Sequence, residues 1–136
     1  MLRALNQYAE CENAYFGFTA ENQKMYDERF DTWRAEKPDR VKGWLSAEPL
    51  LGSIDLRLGY ISPEDLPFKW VVVGCESGRC RRPCDINWVI DIVNQCGEFG
   101  IPVFVKQLSI LGKCVNDIRL FPNYLRIRQV PWEVTK

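Results

Sequence analysis

The run Trp70-Val71-Val72-Val73-Gly74 decides how the rest of the chain is read. It is apolar without alternation, the pattern of a strand buried on both faces, and such strands belong to parallel sheets covered by helices. Three other segments share its character: Tyr15-Phe16-Gly17-Phe18-Thr19, Trp44-Leu45-Ser46-Ala47-Glu48 and Val103-Phe104-Val105-Lys106. Between the first two, Tyr26, Phe30 and Trp33 recur at helical spacing. They predict a helix from Ala20 to Lys37, capped by Thr19 and stopped by Pro38 and Asp39. Between the last two, Asp85 caps a helix whose apolar stripe is Val89, Ile92, Val93 and Cys96, ended by Gly97 or Gly100.

The remaining segments are less regular. Residues 1–14 are a polar lead-in with room for a short helix. Residues 49–67 hold several leucines but are interrupted by Gly52, Gly59, Pro63 and Pro67, with a short helix starting at Ser62-Pro63-Glu64-Asp65. Beyond Ser109 the pattern weakens, and only Tyr124 to Val130 alternates like one more strand, at an edge. Strand, helix, strand, connection, strand, helix, strand is a parallel α/β order with right-handed crossovers. The expectation is one domain over residues 1–136, with four to five mostly parallel strands and flanking helices.

Each of the four strands leaves its apolar body through polar residues. The exits carry Thr19, Glu21 and Asn22; then Glu48; then Glu76, Ser77 and Gly78; then Lys106 and Gln107. In parallel α/β folds the C-terminal strand ends form the rim where ligands bind. Glu48, just before Pro49, is a candidate for orienting a ligand amine or hydroxyl, or for general-base work should burial raise its pKa; its plainer role is to cap backbone amides. Glu76-Ser77-Gly78 offers loop amides to an anion, or is an ordinary tight turn. Lys106 at a strand end calls for a carboxylate, with Glu48 and Glu76 both in range of that role. It equally suits a phosphate or carboxylate ligand, with Gln107 as its hydrogen-bonding neighbour. Glu48, Glu76 and Lys106 are the catalytic candidates. Thr19, Glu21, Asn22, Ser77, Gly78, Arg82 and Gln107 are the ligand-binding ones.

Composition narrows the function classes. Of 136 residues, 18 are basic and 18 acidic, so no broad field attracts nucleic acid or membrane. Arg79, Arg81 and Arg82 form a basic cluster that supports nucleic-acid binding only weakly, since such loops are commonly solvated. No apolar run is long enough to span a bilayer, and Met1 to Glu10 lacks a signal-peptide core. These features point to the cytoplasm, with the six cysteines reduced. The chain has no histidine, which removes the Ser-His-Asp and Cys-His arrangements. Cys75, Cys80 and Cys84 are irregularly spaced for a metal, and the expectation is that no metal is bound. The five tryptophans are scattered singly and read as core or core-edge residues.

Four phrases carry a resemblance: Gly17-Phe18-Thr19-Ala20-Glu21-Asn22-Gln23, Ser46-Ala47-Glu48-Pro49-Leu50-Leu51-Gly52, Val73-Gly74-Cys75-Glu76-Ser77-Gly78 with Arg82-Pro83, and Phe104-Val105-Lys106-Gln107. In order and spacing, over residues 14–133, they resemble the C-terminal half of an uncharacterised family of phage-associated proteins that is itself similar to radical-SAM barrels. The resemblance implies half of a (β/α) barrel, S-adenosylmethionine as a ligand, and the host cytoplasm as location. It also implies an N-terminal cysteine cluster that holds iron and sulfur in full members. Before residue 14 this chain has only Cys11 of that kind, so no iron–sulfur cluster is expected on it.

Two functions follow. One is a radical-SAM-like half-barrel that binds a small ligand or nucleotide at the C-terminal strand edge, as one half of a split nucleotide- or nucleic-acid-modifying enzyme. The other is a non-enzymatic phage accessory protein that binds or inhibits a host protein. A half-barrel also leaves its inner sheet face wet. With Phe16, Phe18, Leu45 and Val72 placed there, a homo-oligomer or a partner chain is expected to cover it, unless residues 49–67 or the tail do so.

Overall fold

A computed structural model describes residues 11–133 of the chain. The helix allowed for in the lead-in falls largely on residues 1–10, outside the described residues, and residues 11–14 form a turn. Strands β1 (Tyr15–Thr19), β2 (Lys42–Ala47), β3 (Trp70–Gly74) and β4 (Val103–Ile110) lie side by side in chain order, all parallel. A fifth strand, β5 (Lys113–Val115), folds back antiparallel on the end of β4. Helix α1 (Gln23–Glu36) joins β1 to β2, and α2 (Ile86–Glu98) joins β3 to β4.

The register assigns every strand residue to a face. Phe18 pairs with Leu45, Leu45 with Val71 and Val71 with Val103, so these share one face, with Phe16, Ala47, Val73 and Val105. That face carries the core. Leu45, Ala47, Val71, Val73, Val103 and Val105 join Tyr26 and Trp33 of α1 and Val89, Ile92 and Cys96 of α2 in one buried cluster. Leu50, Ile54, Leu56, Leu58 and Phe68 of the β2–β3 connection belong to the same cluster. All three crossovers therefore lie on one side. Sequential strand order with one-sided crossovers is the winding of a (β/α) barrel, whereas a doubly wound sheet reverses its order midway.

The middle crossover lacks a helix and is held instead by two glutamines. Gln23 accepts from the Asp55 N–H at 2.6 Å and donates to the Asp55 carbonyl at 3.3 Å. From α2, Gln95 accepts from the Leu56 N–H at 2.7 Å and donates to the Ile54 carbonyl at 2.9 Å. Each side-chain amide thus serves both a donor and an acceptor of a backbone that has no ladder of its own. The Tyr26 hydroxyl donates to the Leu56 carbonyl at 3.1 Å, and burial pushes its pKa well up.

Four details differ from the sequence reading. Helix α1 begins three residues later than Ala20: Asn22, not Thr19, is the cap, and its Oδ1 accepts from the Met25 N–H at 3.1 Å. The segment from Tyr124 to Val130 is mostly not a strand. Asn123–Leu125 forms a 3-10 turn, and only residues 127–129 pair with β4, through Val105 N–H to Ile127 at 2.8 Å and Gln129 N–H to Val103 at 2.8 Å. Ser62–Asp65 yields a single 3-10 turn rather than a longer helix. Phe16, Phe18 and Leu45 lie beneath the helices, and of the four residues placed on the inner face only Val72 is there.

Candidate functional site

The C-terminal strand ends hold three ion pairs. The β2 exit supplies Glu48, whose carboxylate takes Lys106 Nζ at 3.0 Å and the Ser46 hydroxyl at 3.4 Å. The β1 exit supplies Glu21, which accepts from Arg29 of α1 at 3.2 Å; the same guanidinium donates to the Thr19 carbonyl at 2.7 Å and hydroxyl at 3.1 Å. The β3 exit supplies Glu76, which accepts from the Arg82 backbone N–H at 2.7 Å and from its guanidinium at 2.5 Å. The Arg82 side chain and its backbone N–H hold the Glu76 carboxyl down at about 2, against an ordinary 4.5.

The pair between Glu48 and Lys106 spans a strand. β2 and β4 are separated by β3, a gap of about 10 Å between backbones. Glu48 and Lys106 meet across β3, with the Glu48 carboxylate beside Gly74. A Cβ there would lie 3.4 Å from Glu48 Oε2 and 3.2 Å from Gln107 Cγ. The Glu48 side chain is 17% exposed and that of Lys106 is 55% exposed. The pair thus has a sheltered anion and an accessible cation. Ser46 pairs with Val72 on the face that the helices do not cover, and beyond it the register shifts so that Gly74 pairs with Gln107.

The connection stitches the exits together. The Leu50 N–H donates to the Gly74 carbonyl at 2.9 Å, and the Leu51 N–H donates to the Glu21 carbonyl at 2.7 Å. The Glu48–Pro49 peptide between them is cis. Gln107 donates to the Cys75 carbonyl at 2.6 Å and so ties β4 to the β3 exit. Glu21 also lies near enough to Arg82 to raise its pKa, behind the larger effect of Glu76. Beside Glu76 and Arg82 a cavity of about 300 Å³ is lined by Cys75, Cys84 and Ser109. A larger cavity of about 430 Å³ lies at the other end of the sheet, around Lys37, Gly43 and Lys69, away from the rim.

Of the residues proposed from sequence, Glu48 and Lys106 meet directly, and Glu76 pairs with Arg82 instead. Thr19 and Glu21 are held by Arg29. Asn22 is engaged as the helix cap, and Gln107 as a strand tie. Ser77 is exposed and Gly78 adopts φ +104° in an open turn. Sequence reasoning missed Arg29 and Ser46. Arg29 follows Met25 at one helical turn, which was its only signal. Ser46, the single polar residue inside an otherwise apolar β2 body, was the signal available for the uncovered face.

The cysteines divide by burial. Burial, and then the Cys114 thiol beside it, push Cys75 up to about 12; burial pushes Cys84 up to about 11 and Cys96 up to about 12. Cys80 is exposed. Among the described residues no three His, Cys, Asp or Glu are placed to hold a metal ion, so Cys75, Cys80 and Cys84 do not fit an iron–sulfur cluster, and no chemistry is assigned to one. No helix among the described residues is long and apolar enough to cross a membrane.

Residues 1–117 match the model of the family described as a protein of unknown function (DUF5131), and the chain belongs to that family. No curated protein and no solved structure matches the chain.

Proposed function

We propose that this DUF5131 family member binds a small zwitterionic or anionic ligand at the C-terminal end of its parallel strands, with Glu48 and Lys106 as the contact pair. The observation that carries the reading is the ion pair across β3. A sheltered carboxylate and an accessible ammonium, brought together from β2 and β4 at the C-terminal strand ends, are complementary to a ligand bearing an amine and a carboxylate. The amino-acid end of S-adenosylmethionine has those two groups, and the resemblance to radical-SAM barrels of phage-associated proteins favours the same ligand class. On binding, the ligand amine takes Glu48 and its carboxylate takes Lys106, so the internal pair is exchanged for two external ones. Neither charge is left bare. Glu76 and Arg82 stand at the neighbouring exit, where a nucleotide portion of the ligand would lie.

Thermal unfolding with S-adenosylmethionine, its demethylated product and free nucleotides tests this. A ligand at about 100 times its Kd stabilises by about 2.7 kcal/mol, a rise of several degrees in Tm. Glu48→Gln and Lys106→Met are expected to abolish the rise while the unliganded proteins still melt cooperatively. A flat Tm across these ligands at millimolar concentration, with folded protein, overturns the reading.

A further inference from the structure

The sheet face opposite the helices carries its own aromatic layer. The register places Tyr15, Gly17, Trp44, Ser46, Trp70, Val72 and Phe104 on it. The Trp44 and Trp70 rings lie 5.5 Å apart at 30°. Phe104 meets Trp70 edge-on at 6.4 Å. The tail brings Trp132 to 5.3 Å from Trp70 and 6.1 Å from Tyr15, with Trp132 itself 61% exposed. None of these rings belongs to the buried core cluster or packs against it. Helices and the long connection all lie on the other side, so among the described residues the layer is half-covered by the tail.

Two cations border the rings. Lys42 Nζ sits 5.5 Å over the Tyr15 ring at one end; at the other the Arg128 guanidinium sits 5.3 Å over Phe104 and 5.8 Å over Phe121 while donating to the Val105, Lys106 and Asn116 carbonyls, so it brings charge but few free donors. Lys106 is paired with Glu48 and adds no net charge. Among the described residues, the carboxylates near Arg128 are Asp117, which also pairs with Arg119, and Glu133, which lines a cavity with Arg128. Aromatic planes bordered by cations are the chemistry that takes unstacked bases on a phosphate chain. A second copy of this chain fits less well. Two such faces would oppose like charges, and β4 cannot extend the sheet into another half-barrel. Its outer edge is already paired with residues 127–129 and with β5.

We propose that this face binds single-stranded nucleic acid, with two or three bases stacked on Trp44, Trp70 and Trp132, and Lys42 and Arg128 toward the phosphates. The surface is distinct from the ion pair at the rim and stands whether or not a small ligand binds there. The number of bases follows from the width of four strands, about 14 Å.

The probe is a fluorescein-labelled oligodeoxyadenylate about ten nucleotides long, read by anisotropy and by quenching of tryptophan fluorescence. Binding is expected to weaken as salt rises and to be weaker for the same sequence as duplex. Trp70→Ala is expected to weaken it about 5- to 100-fold. Trp132→Ala, at an exposed position that leaves folding intact, weakens it in the same direction. Lys42→Ala lowers the salt dependence by about one ion, whereas Lys24→Ala on the outer face of α1 leaves binding unchanged. Three results overturn the proposal. One is no binding at about 100 µM protein in low salt, beyond the range of ordinary non-specific affinity. Another is equal loss from Lys24→Ala and Lys42→Ala. The third is a dimer by light scattering whose dissociation exposes the tryptophans, which would assign the face to a second copy.

Discussion

Val72 and Val73 are neighbours in the chain and sit in different worlds. Val73 lies under the helices, in a core that also contains Phe68 and Trp33. Val72 lies on the opposite face, in the row of Ser46 and Phe104 next to the Trp44–Trp70 pair, with no helix above it among the described residues. Both are nearly inaccessible, so burial alone does not separate the two faces. What separates them is the covering: closely packed secondary structure on one side, and partly exposed aromatic rings plus a short stretch of tail on the other. The first face stabilises the fold, and the second remains available to a partner.

The strongest test of that contrast is truncation of Phe68. Its ring is 1% exposed and touches the rings of Phe18, Tyr26, Phe30 and Trp33 at centroid distances of 5.4 to 6.4 Å. Phe68→Ala is expected to cost about 3–5 kcal/mol, from lost transfer free energy and the cavity left behind. Urea unfolding with an unchanged m-value reads it. A loss below about 1 kcal/mol would mean that the helix-covered side is not the principal core.

Next in size is Gln95→Ala. It strips the Leu56 N–H and the Ile54 carbonyl of their partners in a segment whose neighbouring leucines are buried, at a cost of about 1–3 kcal/mol. Gln23 grips the same segment from the other helix. The double variant with Gln23→Ala should therefore cost a different amount from the sum of the two single losses. Strict additivity would show that the two amides act separately, and the connection would then owe its shape to leucine packing alone.

The four parallel strands were legible because each is a short apolar run between turn signals, and α2 because Asp85 and its stripe agree. The helix start was missed by three residues because Thr19 and Asn22 are both good caps, and only the path of the chain past Ser46 decides between them. β5 was missed for a sharper reason. Its two-residue turn, Leu111-Gly112, has φ of 49° and 73°, and a leucine in that conformation carries none of the usual Asn-Gly signal. The assignment of faces failed because an unbroken apolar run such as Trp70 to Gly74 shows no period from which an inside can be read. At the site, the rim residues could be named from strand exits, but their partners could not. Glu48 joins Lys106 across the intervening strand β3, a fact about the third dimension.

On the open face the expected effect of truncation on stability is small. Trp132→Ala removes an exposed ring and should change stability by less than about 1 kcal/mol, against the several expected for Phe68. Its fluorescence should be more accessible to iodide or acrylamide than that of buried Trp33. If Trp132→Ala instead unfolded the protein, the end of the tail would be as much part of the core as Phe121 and Leu125 are, and the two faces would not differ as described.

The smallest effect belongs to the rim, which neither face covers. Glu76 keeps its charge down to about pH 2 because Arg82 donates to it from side chain and backbone. Between about 4.5 and about 2 the unfolded chain binds a proton at this carboxyl that the folded chain does not. Stability from this source is therefore complete above 4.5 and is lost as the pH falls through 2. Arg82 is exposed and Glu76 only partly sheltered, so the gain is modest and salt should weaken it further. Carbon-detected NMR titration of the Glu76 carboxyl reads it directly. Arg82→Ala should bring the midpoint back up toward 4.5 and flatten the acid side of the stability profile. Arg119→Ala removes the partner of Asp117, held low in the same manner, and should leave Glu76 untouched. A Glu76 midpoint near 4.5 in the unaltered protein would mean that Arg82 does not hold it in solution, and the β3 exit would then be open to a ligand without any internal pair to displace.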